Sequence, residues 1–106
     1  MLAPVAAAGA GVEQRRAEAE ARRALNQRLK KVKDRLAKVE RDMSVKRARY
    51  DELMELMASE ELYADQEKFS AALGEYNKLK QELPALEDEW LELSSTIEEE
   101  TERAGA

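Results

Sequence analysis

The sequence has no cysteine and no histidine. The first absence excludes disulfides and thiolate metal sites. The second removes the commonest metal ligand and general base. Aromatic residues make up only 5% of the chain, with one Trp, one Phe and three Tyr. That is too little bulk for a conventional globular core. The four glycines, Gly9, Gly11, Gly74 and Gly105, form no Gly-rich loop ending in Lys-Ser/Thr, so no phosphate cradle for ATP hydrolysis is present in the chain. No apolar run approaches the ~20 residues needed to span a bilayer.

What remains is charge. The chain has 106 residues, enough for one small domain, and 39% of them are Asp, Glu, Lys or Arg. Such a composition suits long helices that each bury one narrow stripe. The net charge of −5 hides a division. Met1–Tyr50 carries 14 Lys/Arg against 6 Asp/Glu, a net of +8, and Asp51–Ala106 carries 4 against 17, a net of −13. One half is basic and the other acidic.

The opening "MLAPVAAAGAG" is apolar and small. It lacks the basic start and Leu-rich centre of a secretory signal, and residues 1–12 are read as a flexible Ala/Gly linker from a longer chain. Beyond it, apolar residues fall at Leu25, Leu29, Val32, Leu36, Val39 and Met43, in alternating steps of four and three. This heptad seam continues through Lys46, Tyr50, Leu53 and Met57. The Lys46 stem can follow the seam while its ammonium reaches water. A second seam runs through Phe69, Ala72, Tyr76, Leu79, Leu83, Leu86, Trp90, Leu93 and Ile97. Neither region shows the period-two alternation of a strand.

Folding the chain at its middle brings the seams together antiparallel. Leu53 then faces Ala72, Tyr50 faces Tyr76, Met43 faces Leu83, Leu36 faces Trp90 and Leu29 faces Ile97. The predicted fold is all-α: a long antiparallel two-stranded coiled-coil hairpin over residues 13–102. Its arms cover about 27–58 and 66–101, its tip 59–65, and residues 103–106 form a tail. At ~1.5 Å per residue each arm is about 45–50 Å long. In this register Arg35 meets Glu89 and Arg49 meets Glu75, which is attractive. Asp42 opposite Glu82 and Arg47 opposite Lys80 are repulsive. The apolar seam decides the fold, since exposed ion pairs contribute only tenths of a kcal/mol.

Three local questions stay open. Residues 12–27, "VEQRRAEAEARRALNQ", either extend the first helix or form a short extra N-terminal helix with a bend near Asn26. Pro84 sits on the solvent side without shifting the seam, which favours a kink over a break. Tyr63 lies off both seams and either pins the turn against Leu62 and Phe69 or is exposed for a partner. In the tip, Asp65 suits an N-cap and Ser59 suits the cap of a single turn, Glu60–Tyr63.

These residues resemble a known domain. "RRAEAEARRAL", "RLKKVKDRLAKVERDM", the tip "SEELYADQEKFSAAL" and "ALEDEWLELSSTIEE" are similar to the C-terminal coiled-coil domain of ABC-F ATPases of the Uup type, over roughly Gln14 to Glu100. The family often has proline where this chain has Asn26–Gln27 and after the tip Asp, where this chain has Gln66. The resemblance implies a non-catalytic tail of a cytoplasmic protein whose two cassettes bind ATP and Mg. It also implies a tail associated with nucleic acid, either DNA or ribosomal RNA.

The residues themselves offer a matching surface. Arg15, Arg16, Arg22, Arg23, Arg28, Lys30, Lys31, Lys33, Arg35, Lys38 and Arg41 crowd the first arm. Phosphate backbones attract such a patch with little sequence preference. The candidate contacts are Arg15, Arg16, Arg22, Arg23, Arg28, Lys30, Lys31, Lys38 and Arg41. Base stacking is not expected, because no aromatic lies among them. Against this, a basic helix folded on an acidic one can be merely self-complementary. A protein–protein or structural module that positions ATPase domains or dimerises is the alternative. The hairpin is expected to be a monomer that satisfies its own seams, with no membrane partner and no cofactor or metal of its own. The carboxylate clusters "EDEW" and "IEEE" read as solvated surface, since consecutive helical residues point about 100° apart.

Overall fold

In a computed structural model, the chain forms three helices: α1 (Ala3–Met57), α2 (Glu60–Ala64) and α3 (Gln66–Gly105). The structure describes residues 3–105, and side chains from residue 11 onward. α1 and α3 lie antiparallel as a rod 15 Å across, and α2 is the single turn that joins them.

The seams are the core. Leu29, Val39, Leu53, Leu79 and Leu83 are buried, with Val39 at 0% and Leu53 at 1% exposure. The other seam positions between Leu25 and Ile97 are half-buried, as expected for a core one residue wide. No side-chain polar atom among the described residues is buried without a partner.

Cross-arm contacts confirm the register. Tyr50 stacks on Tyr76, Arg35 pairs with Glu89, and Arg49 grips Glu75. The two repulsions expected from direct opposition do not materialise. Lys46 reaches Glu82 instead of open water, and Arg47 reaches Glu87 at 3.0 Å. Long side chains reach diagonal partners, so direct opposition is a poor guide to charge pairing. Trp90 is half-buried on the seam as expected, and its indole N–H donates to Glu40 at 3.0 Å.

α1 runs through Asn26 without interruption, so the short separate helix does not form. It also runs through residues 3–12, where a linker was expected. Alanine has the highest helix propensity, and the Ala-rich stretch continues the turn. α3 likewise continues through Pro84 to Gly105, which absorbs the expected tail except for residue 106, outside the described residues. Pro84 is on the exposed face, where losing one hydrogen bond is tolerated best.

The tip is built from caps. The Ser59 hydroxyl donates to the Leu56 carbonyl at 2.7 Å and accepts from the Leu62 N–H at 3.3 Å, tying the end of α1 to the start of α2. Asp65 accepts from the Lys68 N–H at 3.2 Å and caps α3. Each cap satisfies a donor that the helix start would leave unpaired.

Candidate nucleic-acid interface

The basic arm separates into two sets once the heptad frame is applied. Cations on the flanks of the α1 seam turn inward and pair with α3. Arg28 meets Glu100, Arg35 meets Glu89, Arg47 meets Glu87 and Arg49 meets Glu75, and the seam residue Lys46 meets Glu82. The Arg49 pair is a fork, with Nε to Glu75 Oε1 at 2.6 Å and Nη2 to Oε2 at 2.9 Å, and Nη1 reaches Glu52 at 2.9 Å. Hydrogen bonding to these partners, more than Coulomb attraction, holds the Glu75, Glu82 and Glu89 carboxyls below their ordinary value and raises Arg35 and Arg49.

The second set faces outward. Arg16, Arg23 and Lys30 recur every seventh residue, about 10 Å apart along the helix, with Lys31 and Lys38 on the adjoining row. All five are exposed, and none makes an ion pair among the described residues. The other places on these two rows, up to Val45, are Ala17, Ala24, Ala37 and Ser44. The stripe therefore carries no acidic residue. The small side chains between the cations leave room for a polymer backbone to approach.

The remaining expected contacts divide. Arg41 is exposed just beside the stripe. Arg15 and Arg22 lie where the seam direction continues toward the start of α1, and both are exposed. Arg28 is exposed but engaged with Glu100 at 3.4 Å, which sets it among the hairpin-tying cations. One residue outside the expected set joins the basic surface. Lys33 is exposed and makes no ion pair among the described residues, and its place in the basic run was already a signal. Arg103, from the last turn of α3, lines an open hollow with Arg22, Arg28, Glu18 and Glu100 and lies 3.8 Å from the Glu100 carboxylate, so like Arg28 it belongs to the paired charges at the hairpin's base. Only the antiparallel return of α3 brings Arg103 there, so its position in the sequence gave no cue.

The acidic arm does not cancel the stripe. Asp88, Glu92, Glu98, Glu99 and Glu102 occupy the outer side of α3, across a rod 15 Å thick. At physiological ionic strength the Debye length is about 8 Å, so these charges act through roughly two screening lengths. The nearer acids belong to α1 itself: Glu20 and Asp34 are exposed on the row beside the stripe, and Asp34 shares a hollow with Lys30 and Lys31.

Among the described residues, no helix is long and apolar enough to cross a membrane, and no group of three or more acidic residues is placed to hold a metal ion. The build is that of a thin helical hairpin with open charged faces. Residues 28–95 match the family model described as ABC transporter C-terminal domain, and the chain belongs to that family. Such a domain is a non-catalytic accessory part of an ABC-type protein. No curated protein and no solved structure shows significant similarity to the chain. The matched segment contains the tip and most of both arms, while Arg15, Arg16, Arg22, Arg23 and Leu25 precede it and Ile97 and Glu100 follow it.

Proposed function

We propose that this domain is the nucleic-acid-binding tail of a cytoplasmic ATPase of the ABC-F, Uup type, whose cassettes bind ATP and Mg. It holds phosphate backbones of DNA or ribosomal RNA without reading sequence. The observation that carries this reading is the acid-free stripe of Arg16, Arg23, Lys30, Lys31 and Lys38, which faces away from α3 while flank cations tie the hairpin together. The contact is electrostatic, since no aromatic residue sits on the stripe for stacking. A single hairpin suffices as the binding unit, because each seam already has an intramolecular partner at high effective concentration.

Mobility-shift titrations of duplex DNA and of structured RNA at two salt concentrations test it. The expected result is binding at low salt that weakens steeply as salt rises, with little difference between sequences. The Lys30→Glu, Lys31→Glu, Lys38→Glu triple variant is expected to lose binding. No binding by the parent chain at low salt, or undiminished binding by the variant, refutes the reading.

A further inference from the structure

Exposed apolar side chains gather at one end of the rod. Among the described residues, Met54, Leu56, Tyr63 and Leu73 are exposed around the tip, while Val12, Val45 and Leu91 are scattered singly elsewhere. Scattered exposure needs no explanation, but a cluster does. Three of the four tip residues share one side. Tyr63 meets Phe69 edge-on at 5.7 Å and lines a shallow groove with Gln66, Phe69 and Ser70. Leu73 lies one helical turn further along α3. Met54 takes the α1 flank position that faces Leu73, on the side where Arg47 meets Glu87.

Tyr63 touches Phe69 edge-on but makes none of the tip's capping hydrogen bonds. The turn is capped by Ser59 and Asp65, and Tyr63 remains 73% exposed. A large, stiff, half-polar ring held out in this way is the usual anchor of a protein interface. The surroundings set the charge of the partner. Residues 51–67 contain seven Asp/Glu and no Lys or Arg, and only Glu52 and Asp65 among them form ion pairs. Such a rim repels phosphate and anionic lipid and attracts a cationic surface. A second copy of this chain fits poorly, because the exposed large apolar residues of its basic arm, Val12 and Val45, stand 33 positions apart and form no stripe to meet Tyr63, Leu73 and Met54 together.

We propose that the tip is a docking site for a basic amphipathic helix of another protein. Tyr63, Leu73 and Met54 receive the apolar stripe of that helix, and Glu60, Glu61 and Glu67 face its Lys and Arg residues. A 15 Å rod end offers less than the ~800 Å² per partner of a standard interface, so the contact is of the transient class. The site is remote from the stripe assigned to nucleic acid and stands or falls separately.

The probe is a synthetic helical peptide of about 18 residues made only of Leu and Lys, with leucines at helical spacing. Its control is a scrambled peptide of the same composition. Each is titrated into the isotope-labelled chain and followed by amide chemical shifts. The expected result is binding in the roughly micromolar range, with shifts confined to the tip from Glu52 to Glu75. The scrambled peptide and the Tyr63→Ser, Leu73→Gln double variant are each expected to bind at least about tenfold more weakly. The Lys30/Lys31/Lys38→Glu variant is expected to bind as the parent does. Equal binding of the scrambled peptide, shifts centred on the outer side of α3, no binding at all, or undiminished binding by the tip variant would each overturn the proposal. Sedimentation that showed a dimer dissolved by Tyr63→Ser would give the patch to a second copy and overturn it as well.

Discussion

The rings of Tyr50 and Tyr76 lie 4.8 Å apart and 18° from parallel, and their hydroxyls approach to 3.0 Å. Each ring belongs to a different arm, so the contact fixes how far one helix has slid along the other. A slip of one heptad would separate the rings and leave both hydroxyls without this partner. One phenol donates and the other accepts, which requires at least one of them to stay protonated.

That requirement makes the hairpin sensitive to alkali. The hydrogen bond to Tyr76, followed by burial, raises the Tyr50 pKa above its ordinary 10.0. A raised folded-state pKa means that the folded form holds the proton more tightly. The contribution is complete below the unfolded pKa and is lost as pH rises through the folded value. Thermal unfolding followed by circular dichroism is expected to show the parent chain losing its advantage over Tyr50→Phe between about pH 9 and about pH 12. A difference that stays constant across that window would disprove it.

The acid side works through different groups. The Arg49, Lys46 and Arg35 partners hold Glu75, Glu82 and Glu89 below their ordinary 4.5. For depressed carboxylates the stability is present above the unfolded pKa and disappears as pH falls through the folded one. The Glu75→Gln, Glu82→Gln, Glu89→Gln variant is therefore expected to be less stable than the parent at neutral pH and to converge with it below pH 4.5. Urea midpoints of both chains across the range provide the check. Protonating the unpaired acids of α3 affects both chains alike, so the difference isolates the three pairs.

Packing sets the largest single-residue effects. Leu53 is 1% exposed, and Leu53→Ala is expected to cost about 3 kcal/mol in urea unfolding. Leu91 is exposed on the outer side of α3, and Leu91→Ala is expected to stay within about 0.5 kcal/mol. Similar effects at the two sites would contradict the seam.

Two substitutions are expected to stabilise. At Gly74 an added Cβ meets nothing within 4 Å, and no glycine among the described residues has positive φ. Gly74→Ala should therefore add about 0.5–1 kcal/mol. Pro84 lacks the N–H that an unbroken helix would donate one turn back. Pro84→Ala should add about 1–3 kcal/mol, seen as a higher melting temperature.

Most of this architecture was legible in the sequence because the heptad constrains many residues at once. Each seam residue from Leu25 to Met57 and from Phe69 to Ile97 is buried or half-buried. The tip caps at Ser59 and Asp65 were legible for a similar reason, since short polar side chains before a helix have few other uses. Charge pairing was less legible. Arg47 and Lys46 find Glu87 and Glu82 through side-chain reach, which a register of opposed positions does not encode. The basic residues were visible as a crowd, and the heptad already turned Arg23, Lys30, Lys31, Lys38 and Arg41 outward, but it did not give the partner of each flank cation. Arg28 and Lys30 are two residues apart, yet one faces Glu100 and the other faces away. The position of α3 supplies only the partner, Glu100, that Arg28 finds.

A core one residue wide also dictates how the rod comes apart. Each layer touches only the layers above and below it, so stability accumulates along a line, as in a zipper. The caps at Ser59 and Asp65 close one end, where the two helices are also joined covalently. The other end is open at Leu25 and Ile97, and separating a layer there opens no loop and strands no neighbour. Opening therefore begins at the base and advances toward Tyr50 and Tyr76. The amides of the rod should exchange with solvent in that order, fastest beside Leu25 and slowest around Leu53.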